Sequence, residues 1–276
     1  MKHRRLVINL VLLAVAMLGQ FAVVTATRNR TTKQTKFTVR VENISAPNGQ
    51  TASDGTKWSF ALSPGLWVLN DKKSGLFTEG RAASKGIESQ AEDGDPSGLV
   101  GMLVMSHHAS SLHGVFNTPI GMMGPGPIRP GDKYEFTFTA NPGMKLSMTL
   151  MNGQSNDEFY APDEKGIALF DSKGMPVSGD ITEKLILWDA GTEVNEELGV
   201  GPNQGPRQKG MNTGPDQHGV VTRAKNEVIY TKNGELFRVT ITPETRDVIV
   251  NCWGRAPVSA PRISYKTLSR KQEKQS

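Results

Sequence analysis

The sequence predicts an all-β fold, an antiparallel two-sheet β-sandwich of about eight to ten short strands. Three observations carry that prediction. Glycine and proline are frequent, 29 and 16 among 276 residues, and runs of helix-forming residues are few. Short segments alternate apolar and polar side chains with the period of a half-buried strand. Turn formers such as Pro125-Gly126-Pro127 and Asn141-Pro142-Gly143 separate them.

Each element follows from one of these signals. Phe37, Val39, Val41 and Ile44 alternate with Thr38, Arg40 and Glu42, which opens the folded domain with a strand. Further strands are expected at Trp58 to Leu62, Leu66 to Leu69, Leu99 to Met105, Tyr134 to Ala140, Lys145 to Met151, Gly166 to Phe170, Lys184 to Trp188, Leu236 to Thr242 and Asp247 to Trp253. A short helix is expected within Gly75 to Glu92. Gly191 to Gly219 holds ten Gly or Pro in 29 positions, which reads as a long ordered loop over one end of the sandwich. The simplest partition is one domain from Phe37 to Pro243, preceded by a linker at residues 27–36 and followed by an extra strand and a basic tail, Glu244 to Ser276.

The N-terminus reads as an export signal. A basic start, Met1 to Arg5, precedes an apolar run from Leu6 to Val24 and a small-residue stretch at Val24-Thr25-Ala26. Retention as a single membrane anchor is the alternative, because nineteen residues is long for a signal core. Either reading places the body outside the cytoplasm, as a secreted, periplasmic or cell-surface protein. No second apolar segment approaches membrane length. The net charge of +5 does not argue for a nucleic-acid partner, because nine of the 32 basic residues sit at the two ends with one acid, leaving a slightly acidic body. One cysteine, Cys252, excludes an intrachain disulfide framework and a Cys-rich metal site.

The strongest chemical signal is charge density. Between Met151 and Val200 stand Asp157, Glu158, Asp163, Glu164, Asp171, Asp180, Glu183, Asp189, Glu193, Glu196 and Glu197 against three lysines. Two carboxylates about 4 Å apart repel by roughly 4 kcal/mol at an effective dielectric near 20. A hard cation relieves that cost, and calcium takes six to eight such oxygens. Dispersal of the acids over solvated loops is the plain alternative.

The run Ser155-Asn156-Asp157, followed by Trp188-Asp189-Ala190-Gly191-Thr192-Glu193, resembles the N-terminal domain of the spondins. Similar too are Ser63-Pro64-Gly65-Leu66-Trp67, Ala91-Glu92-Asp93-Gly94-Asp95-Pro96, Pro125-Gly126-Pro127-Ile128 and the segment Ala161 to Phe170, which look most like secreted bacterial members. The resemblance covers about Phe37 to Pro243. It implies a sandwich similar to calcium-dependent membrane-binding domains, with a calcium ion at one end. Carried over residue by residue, the ligands would be Asp157, Asp189 and Glu193. Glu193 departs from the Asp of the animal proteins, and Asn156 and Glu158 replace the family's Pro and Trp around Asp157. The implied role is a non-enzymatic adhesion or recognition module for a cell-surface or extracellular protein or glycan.

Rival readings use other residues. A carbohydrate-binding module would stack sugars on exposed aromatics such as Trp67 and Tyr160, and a secreted hydrolase would use the acidic window or paired acids such as Asp93 and Asp95. Met102, Met105, His107, His108, His113, Met122 and Met123 have copper-ligand chemistry, although methionines on a strand at Leu99 to Met105 commonly fill core. Cys252 beside Trp253 reads as a small buried hydrophobe before a nucleophile. Motifs for acyl transfer, zinc hydrolysis, nucleotide binding and EF-hand calcium loops are missing from the sequence.

Overall fold

A computed structural model describes residues 28–70, 76–105, 112–224 and 233–252. Gln34–Arg246 forms one compact unit. Met1–Lys33 and Asp247–Ser276 group as another, of which the strand ends 28–33 and 247–252 are described. The strands are β1 (Arg28–Asn43), β2 (Gln50–Thr51), β3 (Lys57–Trp58), β4 (Leu62–Asn70), β5 (His113–Phe116), β6 (Lys133–Ala140), β7 (Lys145–Asn152), β8 (Glu158–Ala161), β9 (Ile167–Ala168), β10 (Gly179–Asp180), β11 (Ile186–Asp189), β12 (Thr222–Arg223) and β13 (Phe237–Cys252). Helices α1 (Lys85–Glu92) and α2 (Ser97–Met105) lie between β4 and β5, and α3 (Asn233–Leu236) precedes β13.

Two antiparallel sheets pack together as a sandwich. One has the order β10-β13-β1-β6, the other β12-β11-β8-β7-β4-β5 with β9 paired to β7, and β2-β3 is a separate ribbon. The alternation read in β1 is what faces the core: Phe37, Val39 and Val41 are fully buried and lie opposite Phe138, Phe136 and Tyr134 of β6. From the facing sheet, Trp67 stacks on Phe136 at 5.9 Å, and Phe60, just before β4, stacks on Phe237. Each such side chain contributes about 1.5–3 kcal/mol of burial.

The larger sheet has a second buried face. Along β4, β7 and β8 almost every residue is buried, so strict alternation fails there. The cause is the helical pair α1–α2. Ile87 and Ala91 of α1 and Leu99 and Leu103 of α2 pack with Leu66, Val68, Phe159 and Trp188 in a second apolar cluster. Ser84 caps α1 by accepting from the Ile87 N–H, and Asp95 accepts from the Ser97 N–H and hydroxyl at the start of α2. Gly86 and Gly98 let the helices touch closely, since a Cβ on Gly98 would stand 3.1 Å from Gly86 Cα.

Here the strand expected at Leu99 to Met105 is corrected: it is helix α2, with Leu99 and Leu103 inward at i, i+4 spacing. A run that is apolar all round carries no period, so the capping acid Asp95 and the tertiary contact decide its form. The methionines are accordingly not core: Met102 is 36 % and Met105 88 % exposed.

Other boundaries shift as well. β1 begins at Arg28, inside the stretch expected as a linker, and β13 runs without a break through Pro243. Among the described residues β10 pairs with Thr240 and Ile241 and β13 beyond that point neighbours β1, an edge position that tolerates a proline. Sequence reading missed β5 and β8, each four residues long. No helix among the described residues is long and apolar enough to cross a membrane. The apolar run Leu6 to Val24, His107, His108, Trp253 and the basic tail lie outside the described residues, as does the side chain of Cys252.

Candidate metal centre

Strand pairing brings the first two sequence candidates to one end of the larger sheet. Asp157 immediately precedes β8, Asp189 ends β11, and Asp189 lies opposite Glu158 in the antiparallel register. The Ala190 N–H donates to the Asp157 carbonyl at 3.0 Å, which fixes the chain at the start of the long loop. Gly191 then turns with φ +68°, and a Cβ there would press on the Val220 backbone. The loop doubles back on itself. Val194 N–H donates to Pro215, Gln217 N–H to Thr192 and Gly219 N–H to Gly191, so the stretch expected to be ordered is a ribbon held by backbone bonds.

All three predicted residues are buried: Asp157 at 0 %, Asp189 at 8 % and Glu193 at 2 % exposure. Asp157 Oδ2 accepts from the N–H groups of Thr192 at 2.9 Å and Glu193 at 3.1 Å, while its Oδ1 has no hydrogen-bond partner. Glu193 Oε1 accepts from the Gly214 N–H at 2.8 Å, and its Oε2 has none. Asp189 differs, since Oδ1 accepts from the Gly191 N–H and Oδ2 from the Asn195 amide. The departures around Asp157 are absorbed by hydrogen bonds. Asn156 donates to the Val194 carbonyl and accepts from the Glu196 N–H, tying the two loops together, and Glu158 accepts from Asn152.

One residue the sequence reading did not single out joins them. Glu92, the last residue of α1, is 2 % exposed and leaves Oε2 without a partner. Burial is the main cause that pushes its carboxyl up to about 7; the nearby Thr192 side chain opposes this, and the charge of Glu193 adds to it. Burial likewise raises Glu193 to about 7 against its Gly214 bond, with Asp157 adding to the shift. Asp157 rises to about 6 through burial first and the charge of Asp189 second. Nothing local distinguishes Glu92 from Glu88 on the same helix; Glu88 takes the Lys85 ammonium at 2.6 Å, and only tertiary packing separates their fates.

The remaining acids of the dense window have ordinary work. Asp163, Asp171 and Asp180 close turns by accepting from the N–H groups of Lys165, Lys173 and Thr182. Glu196 holds Asn203, and Glu197 holds Ser53. Asp93 anchors the loop through Gln208 and Asn212, and Asp95 caps α2, so this pair has structural partners. The sugar-stacking expectation is corrected too: Tyr160 is 1 % exposed, and Trp67 packs against Phe136 and Phe138. An open cleft of about 470 Å³ is lined by Pro64, Gly94, Asp95, Pro96, Val100 and Val115, and none of Glu92, Asp157, Asp189 and Glu193 is in its lining.

The unpartnered, buried carboxylate oxygens of Glu92, Asp157 and Glu193 have the donor chemistry that a hard, oxygen-seeking cation takes. As the side chains stand, no group of three or more His, Cys, Asp or Glu among the described residues is already gathered around a common metal position. No protein-family model and no curated protein matches this chain.

Proposed function

We propose that this protein is an exported, non-enzymatic calcium-binding β-sandwich of the spondin N-terminal type, whose ion is held near Asp157, Asp189 and Glu193. The observation that carries the reading is the orphaned oxygen on each of Asp157 and Glu193. An unpaired buried acceptor costs about 1–3 kcal/mol, and more when charged, so a fold that keeps two beside one another has a cation to offset them. Three carboxylates around one divalent ion leave a net charge of −1, sufficient for retention. Calcium then pins the Gly191–Gly219 ribbon, which presents a recognition surface to a cell-surface or extracellular protein or glycan.

The hydrolase alternative would draw on the same raised carboxyls, since a general acid works with a pKa near 7. Their burial, and their absence from the lining of the open cleft, favour the structural ion. The test is a thermal melt of the parent and of Asp157→Asn with free calcium and with chelator. A ligand that binds only the native state raises the parent's midpoint as its concentration rises. The variant should lose that response, and a parent midpoint indifferent to millimolar calcium would sink the reading.

A further inference from the structure

We propose that the uncharged face built from helix α2, strand β5 and the loop 117–128 docks a second copy of this chain, the Met122–Met123 tip of each copy entering the open cleft of the other. The proposal goes beyond the calcium reading and uses none of its carboxylates.

Sequence isolates this face first. Residues 96–128 hold no Asp, Glu, Lys or Arg, in a chain that is 21 % charged. Among the described residues thirteen large apolar side chains are exposed, and eight of them fall between Met102 and Met123. Scattered singly they would need no partner; gathered on one stretch they mark a contact surface. Helix α2 makes the same point. A helix that is apolar all round is ordinarily covered on every side, yet Leu99 and Leu103 are its buried residues and Val104 is 58 % exposed.

Shape then says what fits. Val100 of α2, Val115 of β5, Pro64, Pro96 and Pro125 line the open cleft, and β5 ends the larger sheet, so no strand among the described residues covers that side. Two positions before Pro125, Met123 is fully exposed, and Met122 and Ile120 are about half exposed. The loop that carries them is pinned. Met122 N–H donates to the Pro119 carbonyl at 3.0 Å, Gly126 N–H to Asn117 at 2.9 Å and Ile120 N–H to Lys133 at 2.8 Å, while the Tyr134 hydroxyl donates to the Gly126 carbonyl. A fixed apolar knob thus stands beside a mainly apolar hollow. A two-fold axis turns such a face onto itself, so that each knob meets the partner's hollow, and methionine adapts to the walls it finds there.

Charge selects a second copy over a charged partner. Two-fold symmetry sets a patch against its own charges, and like charges brought together near the axis repel. This chain carries a net +5, and residues 96–128 let two copies meet without opposing like charges. The one acid lining the cleft, Asp95, is engaged by the Ser97 N–H and hydroxyl. A charged peptide or an anionic surface would find no countercharge in the stretch.

Sedimentation velocity of the purified protein over a range of concentrations tests this, with Met123→Lys at the knob, Val115→Lys at the hollow and, as a control, Met175→Lys at an exposed methionine on another loop. The parent should sediment at twice the chain mass. Both face variants should dissociate at least tenfold more readily while keeping the parent's circular-dichroism spectrum, and Met175→Lys should match the parent. A parent that stays at the single-chain mass at every concentration overturns the proposal; if it then binds phosphatidylcholine vesicles and Met123→Lys does not, the face belongs to a lipid surface. A dimer untouched by Met123→Lys or by Val115→Lys overturns it equally, because the knob and the hollow are then not what joins the copies.

Discussion

The backbone N–H of Glu193 donates to Asp157 Oδ2 at 3.1 Å, so two acidic residues 36 positions apart are bound to each other by the main chain of one and the side chain of the other. That bond ties the Glu193 backbone to the Asp157 carboxylate, and one oxygen of each side chain has no hydrogen-bond partner. The site also has a definite pH behaviour. Burial raises Asp157 to about 6 and Glu193 and Glu92 to about 7, above their values in an unfolded chain.

In calcium-free protein the folded state therefore holds protons that the unfolded state releases, and stability is highest below the unfolded values and falls as pH rises through 6 to 7. Calcium needs the deprotonated groups, so its stabilising effect runs the opposite way. The calcium-induced rise in melting temperature should be large at pH 7.5 and nearly lost at pH 5. Melts in chelator should show the parent losing midpoint between pH 5 and pH 7.5 more than Asp157→Asn does. Equal calcium shifts at both pH values would contradict the assignment of these carboxyls to the ion.

Gly214 gives a way to disturb the site without touching a carboxylate. A Cβ built there would overlap the Glu193 carboxyl group, while the crowded atoms are the far end of a flexible side chain and no backbone. Gly214→Ala should therefore swing Glu193 aside and leave the fold intact. The expected outcome is a circular-dichroism spectrum like the parent's with calcium affinity reduced about tenfold, or 1.4 kcal/mol. Unchanged affinity would mean that the position of Glu193 is not what the ion requires.

How much of this was legible beforehand depended on which interactions were local. β1 and β6 could be read because one face of each is buried and the other wet, as in Phe37-Thr38-Val39-Arg40-Val41. The turn after Asp189 was legible through Gly191, which takes a positive φ of 68°. Glu92 was not, because its burial is decided by loop residues a hundred positions away. Nor were Trp67 and Tyr160: an aromatic on a strand has the same local signal whether it faces a second sheet or solvent, and here both meet the core.

The segment Ser97–Met105 is the sharpest instance, and it yields the last prediction. With apolar residues at nearly every position, its sequence is compatible with a doubly buried strand and with a helix. The two forms bury different side chains. A strand alternates, placing 99, 101, 103 and 105 on one face, whereas helix α2 buries Leu99 and Leu103 and leaves Met105 88 % exposed. Leu103→Ala should cost about 2–4 kcal/mol by emptying the space above Leu66, Val68 and Trp188, and Met105→Ala should change stability by less than about 0.5 kcal/mol. Urea unfolding of both variants measures the difference. Comparable losses from the two would restore the strand, and with it a second sheet face covered by something other than α1 and α2.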